Sequence, residues 1–168
     1  MESEERRPPA KLTDRFLAFL VDFVPFYAGF VGSLYVLVVK LAKLPPTPQT
    51  LGRQLLLWTA LWLLYQALGN ASGATVGKRL FGLRVEGLDG GRLGLGRSVV
   101  RAGAYLLSLP LNLGFLWSLV HPDSRTWHDL LAGSRVVEAR PKSQGEALLA
   151  AVLLAAILAL AAVAAAPL

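Results

Sequence analysis

The stretch RFLAFLVDFVPFYAGFVGSLYVLVVKL, Arg15–Leu41, decides what kind of protein this is. Between Arg15 and Lys40 its only charge is Asp22. An apolar run of this length crosses roughly 30 Å of hydrocarbon at about 1.5 Å per residue. An ionised side chain near the centre of such a helix costs about 2.5–3.5 kcal/mol on insertion scales. It persists when it has a partner or a task, so Arg15 and Asp22 are the first candidates for a functional site. They lie two turns apart, on one face of the helix. Arg15 reaches back towards water, whereas Asp22 sits too deep to meet it along the same helix. Asp22 therefore needs a partner from another segment, and Arg101, at the mouth of the third apolar segment, is expected to supply it. Pro25 removes the helical hydrogen bond to the carbonyl of Val21, which leaves an acceptor next to Asp22. Gly29 and Ser33 form a small-xxx-small pair through which a second helix can approach.

The rest of the chain agrees with a membrane setting. Of its 168 residues 54% are apolar and 17% charged, with a mean hydropathy of +0.51. A soluble domain averages about 45–50% apolar and about 25% charged. The length allows one domain. The net charge is +6, and the basic residues flank the apolar runs. Positive-inside orientation and contact with the anionic headgroups of the lipid bilayer account for them, and nucleic acid is not expected as a partner. The absence of cysteine removes disulfides and thiolate metal sites. Met1–Asp14 is a polar cytoplasmic N-terminus. The apolar run after it is longer than that of a signal peptide and lacks an Ala-x-Ala-like cleavage site, so it reads as a retained first span.

Further along, Leu44-Pro45-Pro46-Thr47-Pro48 is a loop, and a second span runs from about Leu51 or Gln54 to Leu68. Residues 73–101 carry Lys78, Arg79, Arg84, Arg92, Arg97 and Arg101 and read as cytoplasmic, with Gly77, Lys78 and Arg79 as a basic motif. Leu83–Glu86 alternates like a strand, and Asp89-Gly90-Gly91 is a hairpin-type turn. Ser134–Glu138 reads as a second strand that could join it. Between them Ala102–Val120 is interrupted by Pro110, Asn112 and Gly114. It is either a kinked span or a re-entrant hairpin. Basic residues on both sides favour the hairpin, whereas the cost of non-helical backbone at depth favours the span. Ser143 and Glu146 form a capping box before Ala147–Leu168, which is long enough for a further transmembrane helix. The expected fold is an all-α membrane protein of three or four hydrophobic helical segments with a small cytoplasmic β-hairpin or sheet. It divides into the N-terminus (1–14), a membrane domain (15–140) and the C-terminal Ala/Leu-rich helix (141–168).

Asp129 precedes an apolar pair and a glycine. It is expected to cap a short interfacial helix or to pair with Arg15 or Lys78. His121, Asp123, His128 and Asp129 do not have a zinc-ligand spacing. Gly73–Arg79 fails as a phosphate loop, with Ser72 and Arg79 where Gly and Ser or Thr are needed. No Gly-x-Ser-x-Gly elbow exists, and both histidines fall in one loop. An enzyme, a cofactor and a metal are therefore not expected.

Three motifs occur in order: Arg15–Asp22; Gly73-Ala-Thr-Val-Gly-Lys-Arg-Leu-Phe-Gly-Leu-Arg-Val85; and His128-Asp129-Leu-Leu-Ala-Gly-Ser134. Together they resemble the RDD family of prokaryotic membrane proteins, named for one arginine and two aspartates that fall here on Arg15, Asp22 and Asp129. Ala74 stands where many members carry Gln, and Ser134 where Thr is frequent. The resemblance covers about residues 12–138. It implies a multi-pass inner-membrane protein, with transport of a small ligand, monovalent cation or proton by a homo-oligomer as the leading expectation. The rival is a scaffold in which the Arg/Asp set is structural and the basic face binds lipid or a partner.

Overall fold

The computed structural model describes residues 7–43, 45–108, 113–141, 148, 151, 152 and 155. The capping box at Ser143 and Glu146 and most of the C-terminal Ala/Leu segment lie outside the described residues. The chain is mostly helical. Helix α1 spans Leu12–Tyr35, contains Pro25 without interruption, and continues through a π-helical stretch to Ala42. Leu12–Leu41 meets the length and apolarity of a membrane span. Helix α2 spans Pro48–Ala71, with Thr47 as its N-cap and Pro48 in its first turn, where a missing N–H costs nothing.

The two helices meet where the small residues allow it. A Cβ at Gly29 would collide with the Trp58 ring, and Trp58 Nε1 donates to Ser33 Oγ at 2.9 Å. Ser33 in turn donates to Gln54 Oε1. An aromatic cluster of Phe19, Trp62, Tyr105 and Phe115 fills the space between α1, α2 and the third segment. That segment comprises α4 (Leu95–Ser108) and α5 (Leu113–Leu116), the latter extended by a 3-10 turn to Leu119. The two axes differ by 111°, so the segment is sharply bent.

Between and after these helices the chain performs the same series twice. Thr75, in extended conformation, precedes the five-residue helix α3 (Val76–Leu80), then Gly82 at φ 66°, then strand β1 (Leu83–Gly87). Thr126, also extended, precedes the five-residue helix α6 (Trp127–Leu131), then Gly133 at φ 58°, then strand β2 (Ser134–Glu138). Each glycine supplies the left-handed conformation that turns a helix end into a strand. The strands pair antiparallel with Val85 opposite Val136, Leu83 opposite Glu138 and Gly87 opposite Ser134. A register centred on equivalent residues relates the two units by a local two-fold.

This pairing differs from a local hairpin. The Asp89-Gly90-Gly91 turn forms, with Gly90 N donating to Gly87 O at 3.0 Å. Beyond the turn the chain has a single apolar plug, Leu93, and then Gly94 at φ 71°, from which α4 starts. One buried residue cannot make a second strand, so β1 pairs instead with the distant β2. The N-terminal residues join this sheet. Ala10 N donates to Val136 O and Glu138 N to Pro8 O, both at 3.0 Å. Pro8 and Ala10 are therefore held against β2. Ala10, Ala18, Val21, Phe81, Leu83, Val85, Leu93 and Val136 form the core that ties the sheet to the start of α1.

Candidate functional site

The two Thr–helix–Gly–strand units place two buried carboxylates at the two short helices. Asp22, on α1, points at the start of α3. Its carboxylate accepts from Gly77 N at 2.7 Å, Thr75 Oγ1 at 2.5 Å and Tyr65 Oη at 2.6 Å. Val76 N is bonded to the same Tyr65 hydroxyl at 2.9 Å. The N-terminal donors of α3 are thus capped from α1 and α2 rather than by its own threonine. This needs glycine at position 77, because a Cβ there would collide with the Ala18 carbonyl oxygen and approach the Asp22 carboxyl carbon to 3.0 Å. Lys78 Nζ lies 3.9 Å from Asp22 Oδ2 and within 3.2 Å of Thr75 Oγ1.

Asp129 caps its own helix. Its Oδ2 accepts from Thr126 N at 3.2 Å while the Thr126 side chain accepts from the Asp129 backbone N–H, a capping box, and Thr126 Oγ1 lies 2.7 Å from the same Oδ2. The same oxygen accepts from Arg15 Nη2. The other oxygen, Oδ1, accepts from Arg101 Nη2 at 2.7 Å and Nε at 3.1 Å. Arg15 also donates to the Ser124 carbonyl at 2.6 Å, and Arg101 to Tyr105 Oη at 3.1 Å. Burial disfavours the charged form of Asp129. Arg15 and then Arg101 outweigh this and hold its carboxyl well below the ordinary 3.8. His128, stacked on Tyr105 at 4.2 Å, is held well below the ordinary 6.5, first by burial and then by Arg101, and is neutral at pH 7.

The expected pairing of Arg101 with Asp22 does not occur. The acceptor positions of Asp22 are taken by α3 and Tyr65, and the face of α4 that carries Arg101 packs on α6. The expected basic motif is also divided. Gly77 and Lys78 are buried against Asp22 and only Arg79 is exposed. Of the two partners expected for Asp129, Arg15 is the one it takes, and Asp129 caps a short helix as well. Reading single residues missed Tyr65, Thr75, Thr126 and Tyr105. The Thr…Gly-x-Arg-Val spacing common to residues 75–85 and 126–136 was the signal that could have found the two threonines.

Lys78 and Asp129 hold the same position in the two units, with opposite charge. Each meets the complementary residue of α1: Lys78 faces Asp22, and Asp129 holds Arg15. Residues 9–133 match the model of the RDD family. The chain belongs to the RDD family. No curated protein and no solved structure is significantly similar to it. The arginine and the two aspartates of the RDD name therefore fall in two adjoining centres, with Arg15, Lys78 and Arg101 bordering one small cavity. They are two capping centres joined by one face of α1. Family membership and the apolar α1 together make this RDD protein a membrane protein.

Proposed function

We propose that this RDD protein is a multi-pass scaffold of the prokaryotic inner membrane, neither an enzyme nor a transporter. Its N-terminus and sheet face the cytoplasm, and its Arg/Asp set locks the apolar segments beneath a basic platform that meets anionic headgroups. One observation carries this reading. Both carboxylates are saturated by donors of the same chain and sealed from solvent, with 2% of Asp22 and 0% of Asp129 exposed. A carboxylate that moves a cation or proton must exchange its partners for water or for the ion. These two have their partners built in.

Helix α2 supports the multi-pass topology by being inside out. Its exposed positions include Leu56, Leu57, Leu64 and Leu68, and its buried ones Trp62, Gln66 and Asn70. That is the pattern of a helix whose solvent is lipid. The 111° bend between α4 and α5 supports a re-entrant third segment, which keeps α6 and both strands on one side.

A second reading, cation or proton passage through an oligomer, is favoured by one feature. Trp62 Nε1, Gln66 Nε2 and both amide atoms of Asn70 are buried along α2 without a hydrogen-bond partner among the described residues. Vesicle reconstitution separates the two. With a pH-sensitive dye inside and Na⁺, K⁺ or Li⁺ gradients across the membrane, the scaffold reading expects no ion-dependent pH change, and Asp22→Asn lowers thermal stability. An ion-driven signal that Asp22→Asn abolishes in a protein of unchanged stability overturns it.

A further inference from the structure

The two related units each border a cavity, and the cavities differ in charge. Beside β2 a cavity of about 520 Å³ is lined by Arg7, Arg125, Arg135 and Asp123 among others. Every one of those arginines is paired. Arg7 and Arg135 hold Glu86 at 3.1 and 2.7 Å, and Arg125 holds Asp123 at 3.1 Å. Beside β1 the related cavity measures about 420 Å³ and is lined by Arg79, Arg84, Arg92 and Arg140, with no acid among its described lining residues.

The local two-fold explains the contrast. Arg84 is the counterpart of Arg135 and Ser72 that of Asp123, while Val137 stands where Glu86 does in the other unit. Opposite Arg135 on the sheet is Glu86, whereas opposite Arg84 is Val137. The second unit supplies no carboxylate to Arg84. Neither Arg84 nor Arg92 makes a hydrogen bond or ion pair among the described residues. Arg79 donates to Ser72 Oγ at 3.0 Å and Arg140 to the Arg79 carbonyl at 3.2 Å, which fixes the rim. The floor is fixed by backbone bonds: Val85 N donates to Gly73 O at 2.7 Å and Ala139 N to Gly82 O at 2.8 Å.

We infer that this four-arginine cavity binds a phosphate monoester. Planar guanidinium groups match phosphate oxygens two at a time, and a dianion neutralises Arg84 and Arg92, which no described carboxylate neutralises. The volume falls within the range of small-molecule sites, so the phosphate carries an organic substituent. The inference rests on the scaffold reading only in setting the cavity at the cytoplasmic membrane face. There the phosphate can belong to a lipid headgroup or to a soluble compound.

The test uses the full-length protein. In neutral-detergent micelles, calorimetry with inorganic phosphate and with glycerol phosphate reports on the soluble source. In phosphatidylcholine nanodiscs, thermal unfolding with and without phosphatidic acid reports on the lipid source. Arg84→Gln/Arg92→Gln removes two side chains that have no partner among the described residues. Arg53→Gln/Arg125→Gln removes the same charge elsewhere. Binding of at least one probe that falls about tenfold or more in the first variant, and far less in the second, supports the site. The arm in which this happens names the source. No binding of any probe, or equal loss in both variants, overturns it. Ion flux in the vesicle experiment would end the scaffold reading and leave this result standing.

Discussion

The units Thr75–Gly87 and Thr126–Glu138 share a backbone and differ in where their charge comes from. In the first the capping carboxylate arrives from α1, and the helix contributes a lysine. In the second the helix contributes the carboxylate, and α1 the arginine. The lysine contact is loose, 3.9 Å to the carboxylate, while Asp129 is held by two guanidinium groups. One α1 face thus serves two docking sites of opposite polarity, and the second site carries more of the electrostatic load.

Asp129→Ala should do the most damage. It leaves Arg15 and Arg101 buried and unpaired, at a cost of about 3–5 kcal/mol. Lys78→Met, at the equivalent position of the first unit, leaves Asp22 with three neutral donors and is expected to cost about 1–2 kcal/mol. Thermal unfolding in detergent, followed by tryptophan fluorescence, measures both. Equal losses would contradict the unequal load of the two sites.

An intermediate effect separates the two glycines. Alanine at either must adopt a positive φ, which costs about 1–2 kcal/mol. At Gly82 the new Cβ also meets the Arg140 carbonyl at 2.7 Å, whereas at Gly133 it meets the movable end of Arg97 at 2.8 Å. Gly82→Ala is therefore expected to be the more destabilising by about 1 kcal/mol, measured in the same unfolding assay.

Weaker still is the pH dependence near neutrality, confined to the second unit by His128. Its folded pKa lies below the ordinary 6.5, so the unfolded chain binds the proton first. Its contribution is complete above pH 6.5 and falls as pH drops below it, by at most about 1.4 kcal/mol per pH unit. Asp129 adds a further loss as pH falls below 3.8 towards its depressed folded value. His128→Gln should remove the upper limb and leave the lower one. A stability curve flat between pH 7 and 5 in the wild type would contradict the burial of a neutral imidazole.

The sequence made α1 legible because apolarity over a bilayer-length run needs no knowledge of tertiary contacts. The small-residue approach at Gly29 and Ser33 and the two strand segments were legible for similar local reasons, whereas for Asp129 the sequence left Arg15 and Lys78 both open and the fold takes Arg15. The pairing of Arg101 was not legible, because it depends on which face of α4 lies over α6. Nor was the capping role of Asp22, since its donors are Tyr65 on α2, the Thr75 hydroxyl and one backbone N–H of a helix five residues long. The repeat escaped notice because the units share threonine, glycine, arginine and valine but invert the charge between Lys78 and Asp129.

The long reach of these contacts also sets an order of assembly. At about 5–20 residues per second of synthesis, Arg15 waits roughly 6–23 s for Asp129, which is made 114 residues later. Asp22 finds its donor at Gly77 after only 55 residues. Helix α1 is therefore synthesised with both charges uncompensated and becomes half-settled when α3 emerges. It is completed only when α6 emerges. A ribosome stalled between these two points would hold a nascent chain whose α1 has its aspartate capped and its arginine still unanswered.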